Sequence, residues 1–399
     1  QTVASLAARP LGLAFGLLGR MAARGVHTSL SRTAVALAAL MVAVATTVGV
    51  GLMVSSFRGT VVSWLDTSLQ ADVFISPPSL VARRGGATLL PGLADTLRDT
   101  PGVAGSSTLR VRVRVDGVPT DLMAVDFSRT PVRPYTFKQG DAETAWRELE
   151  SSPDTILVSE PFSFHRGVGV GDTVRLATDQ GPRDLRVVGV YFDYGSDMGT
   201  LLMPRTTYEH WFDDRGVSGV ALYAAPGQDV DALVASVRER AGDTQALLVR
   251  ANRSLRQASL EVFDRTFTIT QVLRLLAIGV AFVGVLSALM ALQLERAREF
   301  AVLRATGLTP EQLWGLVSLQ TGLLGLLAGL FSVPLGVGLA YVLVHVINQR
   351  SFGWTLQLAL TPQTLVQAVV LSLVASALAG LYPAWKMARA NPALALREE

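Results

Sequence analysis

"LLAIGVAFVGVLSALMALQLERAREFAVLRATGLTPEQL", Leu275 to Leu313, changes character midway. Its first part, Leu275 to Leu292, carries no charge and approaches the ~20 apolar residues that a helix needs to cross a hydrocarbon core of ~30 Å. Its second part, Arg298 to Leu313, is polar, with the punctuation of one helix ending and another beginning. Gly307 suits the left-handed conformation of a helix C-cap. Thr309 is placed to cap the next helix, and Pro310 takes the first position, where a missing N–H costs nothing. Gln312 lies three residues after Thr309 and completes a capping box. Phe300, Leu303 and Arg304 fall at i, i+3, i+4 spacing, giving a short helix one apolar face with a charge beside it. A second apolar run then starts at Leu313. Two spans joined by a stiff polar corner predict a multi-pass membrane protein.

The totals agree. Of 399 residues 50% are hydrophobic and 17% charged, and the mean hydropathy is +0.38, too apolar for an ordinary soluble chain. A net charge of +3 gives a nucleic-acid partner little support. Lys138 and Lys386 are the only lysines. With no cysteine, disulfides and thiolate metal sites are excluded. The chain opens on Gln1 without a signal-peptide pattern, and the expectation is a processed product or a piece of a longer protein.

Four runs qualify as spans: Thr33 to Met53, Leu275 to Leu292, a long run from Leu313 to Ile347 containing Pro334, and Leu365 to Leu381. As one helix the third run is roughly 50 Å long, yet it is too short for two spans and a turn. Basic clusters decide the count. Arg20, Arg24 and Arg32 precede the first span, Arg296, Arg298 and Arg304 follow the second, and Lys386, Arg389 and Arg397 follow the fourth. Four spans put all three clusters on one side, which the positive-inside rule makes cytoplasmic. The expected fold class is a membrane α-helical protein of four transmembrane helices, with a large α+β extracytoplasmic domain inserted between spans one and two. The expected divisions are a cytoplasmic lead-in with an interfacial helix (1–32), span one (33–56), the outer domain with stalk helices at both ends (57–267), span two (268–294), the polar corner (295–312), span three (313–347), an outer loop (348–363), span four (364–384) and a cytoplasmic tail (385–399).

Within the insert, "LRVRVRVDG" (Leu109–Gly117) alternates as a strand should before a turn, and "TILVSE", "DTVRLAT" and "DLRVVGVYF" predict further strands. "DVDALVASVRERAG" predicts a helix stopped by Gly242. "RGTVVSWLDTSLQ" and "RSLRQASLEVFDRTF" read as amphipathic helices that continue spans one and two outward. In span three Gly322, Gly325, Gly329, Ser332 and Gly336 form one stripe of small residues, the kind that admits a second helix closely in lipid. That helix belongs either to this chain or to a second copy, and span one, with Ala39, Ala43, Thr46 and Gly49, offers an alternative dimer face. Gln320, Thr321 and His345 lie near span ends as boundary residues. "EHWFDD" around His210 is read as polarity around an aromatic anchor, and His165 joins no HExxH or G-x-S-x-G pattern.

"ERAREFAVLRATGLTPEQL" resembles the signature R-E-x-x-x-L-R-A-x-G-x-x-x-x-Q of the FtsX-like permeases, the MacB-type or type VII ABC transporters. "GLYPAWKMARANPALALREE" resembles that family's ending, and "SLSRTAVALAALMVAVATTVGVGLMVSSFRGTV" its first span. The resemblance implies that the polar corner is a coupling helix docked on a cytoplasmic ATPase, with Glu299, Phe300, Leu303, Arg304, Gly307 and Gln312 carrying the contact by position. It implies mechanotransmission: an ATPase dimer closes, and the spans and stalk reshape the outer domain. Neither lysine lies in a G-x-x-x-x-G-K-[ST] loop, so ATP is expected on the partner and no cofactor or metal on this chain. The implied setting is the bacterial cytoplasmic membrane, with both termini cytoplasmic. The partners would be the ATPase dimer, the lipid and a second permease unit, either a second copy or an upstream half of the same chain. The cargo implied is hydrophobic or amphiphilic: lipid, lipoprotein or peptide. The alternative is a transducer that moves nothing and regulates a cell-wall hydrolase or sensor partner.

Overall fold

The computed structural model describes residues 2–78, 87–128, 130, 133–242, 244–295 and 297–388. Arg296, Arg389, Arg397 and the tail from 389 onward lie outside the described residues. The chain divides into a helical unit (1–57, 265–346 and 357–399) and a sheet unit (58–264 and 347–356).

The elements follow in order: helix α1 (Thr2–Ser68), β1 (Val73–Ser76), α2 (Leu93–Arg98), β2 (Val103–Val115), β3 (Val118–Val125), β4 (Phe137–Gln139), α3 (Ala142–Ser151), β5 (Thr155–Ser159), α4 (Glu160–Arg166), β6 (Thr173–Thr178), β7 (Gly181–Tyr191), β8 (Thr200–Pro204), α5 (Arg205–Trp211), β9 (Gly219–Ala224), α6 (Val230–Ala241), β10 (Leu248–Ala251), α7 (Asn252–Glu295), α8 (Ala297–Ala305), α9 (Pro310–Val342), a π-helical turn (Leu343–Asn348), α10 (Gln349–Phe352) and α11 (Pro362–Ala388).

In the sheet unit the expected strands form as β2, β5, β6 and β7, and the expected helix forms as α6. Asp229 caps α6 by accepting from the Asp231 N–H at 3.0 Å. β2 and β3 make a hairpin over Asp116 and Gly117, whose φ values of 50° and 80° are those of a tight two-residue turn. The ladder β2–β3–β8–β5–β7–β6 returns to β2, so these strands close on themselves. Inward residues such as Leu109, Leu122, Ile156, Leu176, Leu185 and Leu201 fill the interior. The remaining path, β10–β1–β9 with the first half of β2, packs α2 and α6 through a second core that includes Ile75, Leu97, Leu222, Leu233 and Val237.

Two helical ends complete the sheet unit, as the amphipathic segments foretold. The end of α1 and the start of α7 run antiparallel, with Arg58–Asp264 at 3.0 Å and Asp66–Arg256 at 2.8 Å. The Asn252 amide donates to the carbonyls of Leu69 and, at 3.0 Å, Ala71. Such exposed ion pairs are worth little each; here they fix register.

In the helical unit α1, α7, α9 and α11 share one core, which includes Leu40, Val44, Val48, Leu52, Phe282, Leu327 and Ala368. Three helices among the described residues are long and apolar enough to cross a membrane, over Leu37–Ser68, Pro310–Phe352 and Pro362–Leu381. The run Leu275–Leu292 lies within α7, where the side chains of part of the run are outside the description. The third run is one continuous helix through Pro334, as expected, and it goes on through the π-helical turn to Phe352. The lead-in is helical and lies within the range of α1, where two helices meet at a kink at Gly16 (φ 60°, ψ −133°); Ala22 and Ala23, after the kink, are buried in the helical unit.

The small residues of α9 face partners inside this chain. A methyl group on Gly325 would fall 2.4 Å from Ser376 Cβ, and one on Gly329 would fall 3.1 Å from Ser372 Cβ on the same helix, α11. Gly336 meets α1 instead, where a methyl would lie 2.5 Å from Val48 Cβ; Gly49 returns the notch, taking Leu339 at 2.8 Å. The Ser372 hydroxyl donates to the Gly325 carbonyl at 2.7 Å, and that of Ser376 donates to the Thr321 carbonyl. Ser332 is buried and bonds within its own helix, to the Gly329 carbonyl at 2.7 Å. Gly322 is loose, with Leu373 Cδ1 at 4.0 Å. Gly325→Ala should therefore destabilise the chain by ~1–3 kcal/mol through overpacking, whereas Gly322→Ala should leave it unchanged. Thermal unfolding of the two variants in the same detergent compares them directly.

Candidate functional site

The corner is built as its sequence specifies. At the end of α8 the Leu308 N–H donates to the Leu303 carbonyl at 3.0 Å, and the Gly307 N–H donates to the Arg304 carbonyl at 3.2 Å. These are the two bonds of a Schellman ending, and Gly307 has the required positive φ, 109°. Leu303 and Leu308 pack on the same core, the apolar contact that accompanies such an ending. Thr309 and Gln312 then form the reciprocal capping box, with N–H bonds of 3.0 and 3.3 Å. Few backbone groups are left to choose another shape, so the turn is stiff.

Beneath the corner sits a small apolar cluster of Ala22 from α1, Phe300 from α8, and Leu313, Leu316 and Val317 from α9. The expected contact residues differ in how they sit around this cluster. Phe300, expected at a partner contact, is only 4% exposed and points into this cluster. Leu303 is half-buried on its edge. Gly307 and Gln312 shape the backbone. Glu299 is exposed and Arg304 half-exposed. The outward face of α8 is instead Glu299 and Val302, at i and i+3, with the exposed Thr306 in the turn just beyond its end. Val302 is 48% exposed, and Trp314, on the first turns of α9, is 42% exposed. The sequence reading passed over these two; large apolar residues beside charged neighbours on a capped corner were the available signal.

The alternative dimer face divides. Gly49 is consumed by Leu339 of the same chain, whereas Ala39 and Thr46 are exposed and Ala43 is half-buried. His210 is exposed, edge-on to Trp211 with ring centroids 4.4 Å apart, and the Trp211 indole donates to the Pro153 carbonyl at 3.0 Å. The aromatic anchor expected there is present. His345 stacks on Tyr341 at 4.5 Å in the helical unit.

The chain matches the MacB-like periplasmic core domain over residues 33–240 and the FtsX-like permease C-terminal family over residues 272–392. It is an ABC transporter permease of this family. The permease is 41% identical over 396 residues to an ABC transporter permease protein of Mycobacterium tuberculosis, a match covering 98% of this chain and 46% of that protein. It is 26% identical over 279 residues to the lipoprotein-releasing system transmembrane protein LolC of Xylella fastidiosa, covering 63% of this chain and 66% of LolC. It is 22% identical over 331 residues to the macrolide export ATP-binding/permease protein MacB of Acinetobacter baylyi, covering 78% of this chain and 48% of MacB. The permease thus spans 46% of the mycobacterial relative, about half the length. The sheet unit lies largely within the first matched family, and the corner within the second.

If Phe300 supports the corner from within, Phe300→Ala should cost ~3 kcal/mol or more, and Thr309→Ala, which loses a cap, only ~1 kcal/mol. Differential scanning fluorimetry of both variants should show the larger drop in Tm for Phe300→Ala. Equal drops would mean that Phe300 carries no packing of its own.

Proposed function

We propose that this permease couples ATP hydrolysis by a separate cytoplasmic ATPase to a conformational change of its sheet unit on the far side of the membrane. The observation that carries this is the corner: a stiff polar turn between α8 and α9 that exposes Val302 and Trp314 beside Glu299 and Glu311. Exposed apolar residues next to charges are what a docking partner would cover. The ATPase would act as a dimer beneath two permease units, either two copies or two halves of a longer chain. The topology proposed has four spans, on α1, α7, α9 and α11, with the corner and both termini in the cytoplasm and the whole in the bacterial cytoplasmic membrane. Arg20 and Arg24, both exposed ahead of the first span, support that orientation.

Transmission would use helices whose residues belong to both units: α1 to Ser68 and α7 from Asn252. Closing of the ATPase pair displaces the corner; the apolar cluster beneath it passes the displacement to α1 and α9. The cargo proposed is hydrophobic or amphiphilic, a lipid, lipoprotein or peptide, a reading supported by the names of the LolC and MacB relatives.

The test is co-purification of the permease with its genomic neighbours, followed by an ATPase assay. A P-loop ATPase should accompany the wild type, and Glu299→Arg with Val302→Glu should lose it at least about tenfold, the scale of an interface hot spot. Stimulation of the ATPase by an added lipopeptide supports transport. Absence of an ATPase, or retention by the double variant, contradicts the proposal.

A further inference from the structure

Residues 347–356 belong to the sheet unit although the chain on either side of them belongs to the helical unit. Their attachment is specific. Glu160, the first residue of α4, is 1% exposed. Its Oε1 accepts from Lys138 Nζ at 2.6 Å and from the Thr355 hydroxyl. Lys138 also reaches the Thr355 hydroxyl oxygen at 3.1 Å. The Tyr194 hydroxyl donates to the Thr355 carbonyl at 2.9 Å. Burial, and then the Glu160 charge, raise the pKa of that phenol well above its ordinary value, so it stays protonated and able to donate. Trp354, 8% exposed, stacks on Phe352 at 5.2 Å and lies across Tyr194 at 5.7 Å. Asn348 closes the segment on itself, donating to the Trp354 carbonyl at 3.0 Å and accepting from its indole at 3.3 Å. Gly353 has φ 75°, and a Cβ there would fall 3.0 Å from both Pro161 Cα and His165 Nε2.

A buried carboxylate is costly unless paired and hydrogen-bonded. Glu160 has Lys138 and Thr355 on one oxygen, while Oε2 is buried without a hydrogen-bond partner among the described residues. The bonds to Thr355 and Lys138 therefore matter: loss of either leaves the charge less compensated. The boundary between the units, 346/347, falls inside the π-helical turn Leu343–Asn348, a geometry that often marks functional positions. On the other side Ala359 is tied within the helical unit, its N–H donating to the Ser56 hydroxyl at 3.0 Å.

We propose that residues 348–356 form a third tether on the sheet unit, latched by Glu160 through Thr355, and that this latch carries motion of α9 into the sheet unit alongside α1 and α7. The transmission part rests on the function proposed above; the latch itself does not. The π-helical turn is the joint through which α9 meets the latch. Glu160 and Lys138 are the receiving side, and Thr355 is the removable link.

The test uses the full chain in nanodiscs with its co-purified ATPase. Hydrogen–deuterium exchange of the peptide covering 349–357 should quicken at least about tenfold in Thr355→Val and stay at the wild-type rate in Thr355→Ser, which keeps the hydroxyl. Gly353→Ala should free the segment as well, by a different route. Because the chain lacks cysteine, spin labels at Val118→Cys and Leu360→Cys report the units cleanly. Their distance should change with ATP and vanadate in the wild type and in Thr355→Ser, and not in Thr355→Val. Exchange in Thr355→Val at the wild-type rate overturns the latch. A freed segment with an undiminished ATP response overturns the transmission and leaves the proposed function standing. No ATP response in the wild type overturns the proposed function and the transmission together.

Discussion

Gly325 and Gly329 let α9 approach α11 until the Ser372 and Ser376 hydroxyls reach carbonyls of α9. In lipid, helices gain little by hiding apolar surface from one another, so close backbone packing and interhelical hydrogen bonds must hold them. The rest of the helical unit depends on this contact. It fixes α9, and α9 in turn receives α1 through the reciprocal notches of Gly336 and Gly49. A helix held on two sides can act as a lever. Its ends are where the structure is most specific: the capped corner before Pro310 and the π-helical turn after Val342.

The corner and the latch solve opposite problems. At the corner the chain keeps one shape, and local rules suffice: a Schellman ending, a capping box, and a Phe300 cluster beneath. At the latch a segment must stay on a folded unit yet remain joined to α9, and a buried carboxylate paired with an exposed lysine and linked to one hydroxyl supplies the grip. Between them α1 and α7 lend residues to both units, their ends pinned by Arg58–Asp264 and Asp66–Arg256.

What the sequence disclosed follows from range. Gly307, Thr309, Pro310 and Gln312 act on neighbours within five residues, so the corner could be read letter by letter. The alternation of β2 and the stop at Gly242 are equally local. Phe300 was legible as apolar and helical, but which way it faced depended on Ala22, brought from the far end of the chain. The stripe of Gly322 to Gly336 was legible as a packing face; that it serves two different helices was not, since spacing along one helix carries no record of its neighbours. The latch left only one trace, Lys138, one of two lysines in a chain whose other permanently charged cations are arginine. Its partners Glu160 and Thr355 lie in separate stretches with no shared pattern.

The central claim is that the exposed face of the corner meets a nucleotide-driven partner. The most direct measurement is photocrosslinking in living cells with p-benzoylphenylalanine at position 302, followed by mass spectrometry of the adduct. The account predicts an adduct with a P-loop ATPase, and none from the same probe at position 262 on α7, which is exposed in the sheet unit. Adducts at position 302 with lipid alone, or no adduct at all, would contradict it.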